Sequence, residues 1–262
     1  MHFHLPKPLH GWRAFVDEIV IIVIGVLIAL GFEQLVQDWH WRADIKHTRR
    51  ALAHEIELGS IFAVERVAIQ PCLRARIGHL AAELNSGRPR WRGDSVIQPR
   101  YQSNLVPVKS VETSFPLAFI APTRPWLNDE WEMAKSTGVI THMDRDDSSQ
   151  LEFFFSNIER LRALQNEERT TASQLSSLGF DQDLSPDTRA RSLATLGQLD
   201  SIETLIGTIA RQMLPGVRRM NLRFEPMNFG HRPLEFTRAR AAFVDGDRVL
   251  YGVCVRDTAP QI

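Results

Sequence analysis

Cysteine is nearly missing from this chain: Cys72 and Cys254 are the only two in 262 residues, which excludes a disulfide-dense scaffold. Neither sign of charge is in excess, with 31 Lys and Arg against 31 Asp and Glu. The chain therefore lacks the electrostatic footprint of a nucleic-acid binder. Lysine is scarce as well: Lys7, Lys46, Lys109 and Lys135 are the four present, and an arginine surplus this general reflects composition rather than recognition. There is no G-x-S-x-G, no Walker loop, no G-x-G-x-x-G and no H-E-x-x-H, so no familiar nucleophile, phosphate cradle or zinc site is legible. With 44% hydrophobic and 24% charged residues, the chain is neither disordered nor collagenous.

What is present begins near the start. Ile19 to Phe32 is a run of fourteen uncharged residues, roughly 21 Å of helix against a hydrocarbon core of ~30 Å. Ala14–Val16 and Leu35–Val36 lengthen the apolar stretch, and the acids Asp17, Glu18 and Glu33 fall near its ends. Trp12 precedes the run, and Trp39 and Trp41 follow it. From Trp12 to Trp39 a helix measures about 40 Å, the thickness of a bilayer with its headgroups, and indoles at both interfaces form an aromatic belt. The reading is a single span over 14–36, with Trp12, Glu18, Trp39 and Trp41 as interface residues. Gly25 and Ala29 make a small-xxx-small step suited to close helix approach. A buried core helix and a cleaved signal peptide are the competing readings. Ala29-Leu30-Gly31 is a poor cleavage site, lacking a polar stretch before it.

Orientation follows from two opposed signals. Residues 1–18 carry two Lys/Arg and residues 34–53 carry four, which by the positive-inside rule keeps the C-terminal portion in the cytoplasm. A short basic arm before an uncleaved span is also how a signal anchor looks, and long domains translocate largely regardless of charge. The expectation is an extracytoplasmic C-terminal domain.

The stretch GWRAFVDEIVIIVIGVLIALGFEQLVQDW resembles the anchor of a large group of bacterial proteins that have a basic arm, a Gly/acid-Glu-Ile entry, an IGVLIAL or IGILIAL core and a polar-aromatic exit. Asp17 stands where that group has glycine. WEMAKSTGVITHM, from Trp131 to Met143, resembles a second segment of the same group. The resemblance implies a single-span membrane protein and supplies no catalytic residue.

The expected fold is mostly α: one N-terminal transmembrane helix, then a helical bundle domain with a small C-terminal β-hairpin. Residues 1–13 form a basic arm, 14–36 the span, and 37–87 a long juxtamembrane helix kinked at Pro71. Six of the fourteen prolines fall within 89–125, marking 88–127 as irregular, with β-prone pieces such as Leu105–Val111. Residues 128–216 read as a bundle. Asn128 or Asp129 caps a short helix ending at Gly138, and Asp144 starts a second helix with Leu151, Phe154, Phe155, Ile158, Leu161 and Leu164 as its stripe. Ser185-Pro186 starts a third that stops at Pro215-Gly216, with a break near Asp200. In 217–262, Phe243-Val244, Asp245-Gly246 and Val249–Val255 read as a hairpin.

Candidate chemistry is sparse. His40, His47 and His54 recur every seven residues, about 10 Å of rise, too far for two to share one metal on a single helix. His2 and His4 form a weak pair. Asp144–Ser148 opens like a calcium loop but has Ser149 and Phe155 where Gly and Glu are required. Arg92-Gly93-Asp94 is a chance tripeptide. Cys72 and Cys254 either form one bridge or remain two thiols. No cofactor or metal is expected. The partners implied are the bilayer and a protein partner or second copy, not nucleic acid. The functional expectation is a non-enzymatic, membrane-tethered interaction or scaffold protein. The alternatives are a sensor of pH, metal or ligand, and an enzyme using the acids of 129–132 with His142.

Overall fold

The computed structural model describes residues 12–93, 102–103, 106–107, 121–220, 222–229 and 232–260. It divides into two units, residues 1–47 and 48–262, and a 74-residue helix, α1 (Trp12–Asn85), contributes to both. The predicted mostly helical architecture is observed.

In the first unit, every described side chain from Phe15 to His40 is exposed. Ile21 remains 70% accessible and Phe32 65%. The most apolar 18-residue window has a mean hydropathy of 2.6, and 0% of it is buried. The helix is thus long and apolar enough to cross a membrane. Among the described residues none covers that window, unlike a helix at the centre of a soluble core.

In the second unit the same helix becomes a core element. All ten residues from Ile61 to Gln70 are buried, so α1 is covered on every side there rather than along one stripe. Pro71 does not end the helix. It lacks the N–H that would bond to Val67, and the nearby carbonyl of Ala68 accepts the backbone N–H of Arg256 at 3.1 Å.

Helix α2 (Asp129–Ser136) ends just before Gly138, whose φ of 76° suits glycine. Its Trp131 stacks on Phe155 at 5.1 Å. Helix α3 (Arg145–Ser173) starts as expected, with the Asp144 carboxylate accepting the N–H of Asp146 at 2.9 Å. Its predicted stripe is buried from Leu151 to Leu161, with Leu164 partly so. Helix α4 (Pro186–Arg219) starts with the Ser185 hydroxyl accepting from Thr188 N at 3.1 Å. It neither breaks at Asp200 nor stops at Pro215. Leu214, Gly216 and Val217 are buried, and that packing outweighs the hydrogen bond the proline removes.

The strands are short. β1 (Arg90–Trp91) pairs antiparallel with β4 (Gln182–Asp183), and β2 (Gln102–Ser103) with β3 (Val106–Pro107). The rest of the predicted Leu105–Val111 piece lies outside the described residues. Trp91 anchors a second, smaller core and donates its indole N–H to Leu178 O at 2.7 Å.

The C-terminal hairpin is misplaced in the sequence reading. Phe243–Tyr251 belongs to α5 (Phe236–Tyr251), while β5 (Met227–Phe229) and β6 (Arg232–Leu234) form the antiparallel pair upstream. Asp245-Gly246 is a local turn signal. Against it, Ala239, Phe243, Val244, Asp247 and Tyr251 are buried at helical spacing, and covering that face decides the outcome. Gly252, with φ of 87°, ends α5.

Close packing of α1 on α4 gives a direct test. A methyl group at Gly207 would overlap the side-chain amide of Gln70. That amide donates to Glu203 O at 2.8 Å and accepts from Arg211 at 2.6 Å. Gly207→Ala lowers unfolding free energy by about 1–3 kcal/mol, measured by denaturant melts. Gly197→Ala, on the exposed side of the same helix with open space around it, is neutral or stabilising by about 1 kcal/mol. Equal effects at both positions contradict the packing.

Candidate functional site

A charged pair interrupts the most apolar part of α1: Glu65 and Arg66 lie between Ile61–Val64 and Val67–Ile69. Because α1 is covered on all sides here, both are buried, Glu65 at 0% and Arg66 at 2% exposure. A buried guanidinium needs anionic partners. Arg66 Nη2 lies 2.8 Å from Glu168 Oε1 of α3 and 3.2 Å from Glu203 Oε2 of α4. Glu65 is held by Arg124, whose Nε donates to its carboxylate at 2.7 Å. Arg124 also lies over the rings of Phe62 and Phe243 at 5.6 and 5.0 Å. Its segment is fixed by Gln165, which accepts from Arg124 N at 2.9 Å and from Trp126 Nε1 at 3.1 Å. α5 completes the cluster with Asp247, buried at 4% exposure, and Tyr251.

The charges do not balance. Two guanidiniums, Arg66 and Arg124, meet four carboxylates: Glu65, Glu168, Glu203 and Asp247. Burial pushes the Asp247 carboxyl up to about 8, reinforced by Glu65 and opposed by Arg124 and Arg66. Burial likewise raises Glu203 well above the carboxylate range, against the pull of Arg66. Arg66 itself loses to burial but is held above its ordinary value by Glu203 and Glu168. Asp247 Oδ2, Arg66 Nε and Arg66 Nη1 are buried without a hydrogen-bond partner among the described residues. The site can therefore hold protons near neutral pH inside the packed core. Elsewhere on α1, Glu57 is pushed up to about 7 by burial, and Glu55 is raised by burial while accepting from Glu130 N at 3.0 Å.

The residues expected to act from the sequence lie elsewhere. Trp12 and Trp39 are exposed, as are Glu18, Gly25 and Ala29, and Trp41 is half-buried. Nothing comes within 4 Å of a methyl group placed on Gly25. His40, His47 and His54 are exposed along α1. His2, His4 and Asp94 lie outside the described residues. Asp144 serves as a helix cap, and Asp147 pairs with Arg49 at 2.6 Å. Asp129, Glu132 and His142 are exposed, and Glu132 is taken up by Lys135 at 2.7 Å. Among the described residues, no group of three or more His, Cys, Asp or Glu is placed to hold a metal ion. The structure joins Cys72 to Cys254, with Cα atoms 5.3 Å apart. The buried cluster was missed, although the Glu-Arg break in an apolar run was its visible signal.

No protein-family model, curated protein or solved structure matches the chain.

Folding increases the affinity of Asp247 for its proton, so the protonated carboxyl favours the folded state. Stability falls as pH climbs from the ordinary aspartate range, near 3.9, towards about 8. Asp247→Asn keeps the shape and removes the titration. Its stability relative to the parent rises between pH 5 and pH 8, by up to about 1.4 kcal/mol per pH unit, and levels off above that. Thermal melts across pH measure it, and a difference that does not change with pH contradicts the assignment.

Proposed function

We propose that this chain is a single-pass protein of a bacterial inner membrane, and that its helical domain is a non-enzymatic scaffold that engages a protein partner or a second copy outside the cytoplasm. The observation that carries the reading is the uncovered apolar stretch of α1, whose most apolar window has 0% of its residues buried. Water is the wrong solvent for that stretch, and lipid is the right one. Trp12 and Trp39, exposed beyond its two ends, suit the headgroup layers.

The paired Cys72 and Cys254 support the extracytoplasmic side, since such bonds persist in oxidising compartments. The four Lys/Arg within 34–53 argue the other way, but a translocated domain of this size overrides such a bias. A pH-responsive regulatory subunit is the second reading. It is favoured by Asp247, whose carboxyl titrates about 8 inside the core, rather than by the exposed histidines.

Alkaline carbonate washing and paired reporter fusions test the proposal together. The full chain stays with the membrane pellet, and a reporter after Ile262 that is active only outside the cytoplasm gives signal while its cytoplasmic counterpart does not. Crosslinking in intact membranes yields a protein adduct. Release into the supernatant overturns the anchor, the opposite reporter pattern overturns the compartment, and a chain without adducts overturns the partner role.

A further inference from the structure

The bond between Cys72 and Cys254 has an open approach. Both residues line a cavity of about 280 Å³, together with Arg76, His79 and Tyr251. Cys72 sits in α1 at 7% exposure. Cys254 is more exposed and lies on irregular chain after Gly252, beside Val253, which is 100% accessible. The sulfur of Cys254 is thus the one an incoming thiolate reaches. Arg76 stands four residues beyond Cys72, one turn along the same helix, and carries a permanent charge. A guanidinium near the departing sulfur stabilises a thiolate and makes it a better leaving group.

We propose that the Cys72–Cys254 disulfide is an exchange site for a dithiol donor. A donor thiolate attacks Cys254 Sγ, and a new S–S bond forms as the Cys72–Cys254 bond breaks. Cys72 Sγ leaves with the electron pair as a thiolate beside Arg76. The donor's second thiolate then attacks the donor sulfur of the mixed disulfide and expels Cys254 as a thiolate. The donor is oxidised by two electrons to its own disulfide, and the protein gains two electrons and the two protons of the donor thiols. The released segment, 252–260, then relies on buried Val255 and Ala259, the Arg240–Asp257 ion pair and the hydrogen bond from Arg256 N to Ala68 O. Exchange therefore sets how firmly the end of the chain is held to α1.

The test uses the full chain in detergent micelles with dithiothreitol, free thiols being counted by the gel shift of a polyethylene-glycol maleimide. Circular dichroism confirms that the helices persist. The disulfide opens in the folded protein at a rate within about tenfold of the guanidinium-unfolded chain. Arg76→Gln slows the folded reaction about threefold, as expected for one unit in leaving-group pKa, and leaves the unfolded rate unchanged. A thioredoxin-type protein lacking its second cysteine is trapped on Cys254, as peptide mapping shows. Reduction that proceeds only after unfolding, trapping on Cys72, or equal folded rates for the parent and Arg76→Gln each overturn the proposal.

Discussion

Eleven large apolar side chains between Ile19 and Phe32 are left exposed by the described residues. At about 1.5–3 kcal/mol for each side chain moved out of water, the unmet demand is of order 20 kcal/mol. That exceeds the ~5–15 kcal/mol that holds a typical domain together, and lipid is the solvent that the proposed anchor would give it. A helix is the one open form that satisfies every backbone group inside its own span. The proposed anchor, its tryptophans and the choice of compartment all depend on this constraint.

Further along α1 the demand is reversed. Once the helix is covered on all sides, the cost falls on the charges that travel inside with it. Arg66 is neutralised from α3 and α4 at once, which ties three helices to one guanidinium. Arg124 does the same for Glu65 while covering two aromatic rings. The remaining acid, on Asp247, is accommodated by keeping a proton. Replacing such a cluster with apolar side chains is often tolerated or stabilising, so its presence is not explained by stability. A core that carries titratable protons links helix packing to pH.

Much of the fold was legible because periodicity and cap chemistry agreed. Asp144 and Ser185 opened α3 and α4 where expected, and the stripe from Leu151 to Leu161 faced the core. Trp131 and Ala134 of α2 pack there too. The failures share a cause. Pro215 and Asp245-Gly246 are strong local signals, and each was overridden by burial of adjacent residues against parts of the chain distant in sequence. Those contacts cannot be read from one stretch of chain. The buried cluster was hidden for the same reason: Glu65, Glu168, Glu203 and Asp247 come from four helices, and a lone glutamate on a helix looks solvated until its neighbours are known. The cysteine pairing was open in the sequence because 182 residues separate its two ends.

Spin labels placed singly at Ile21, Ile24 and Leu27 of the full chain in lipid nanodiscs test the central claim most directly. Collision with dissolved oxygen, which concentrates in lipid, is compared with collision with a water-soluble nickel complex. The account predicts high oxygen and low nickel collision at all three, with a further label at exposed His54 showing the reverse. High nickel collision at Ile24 would contradict it.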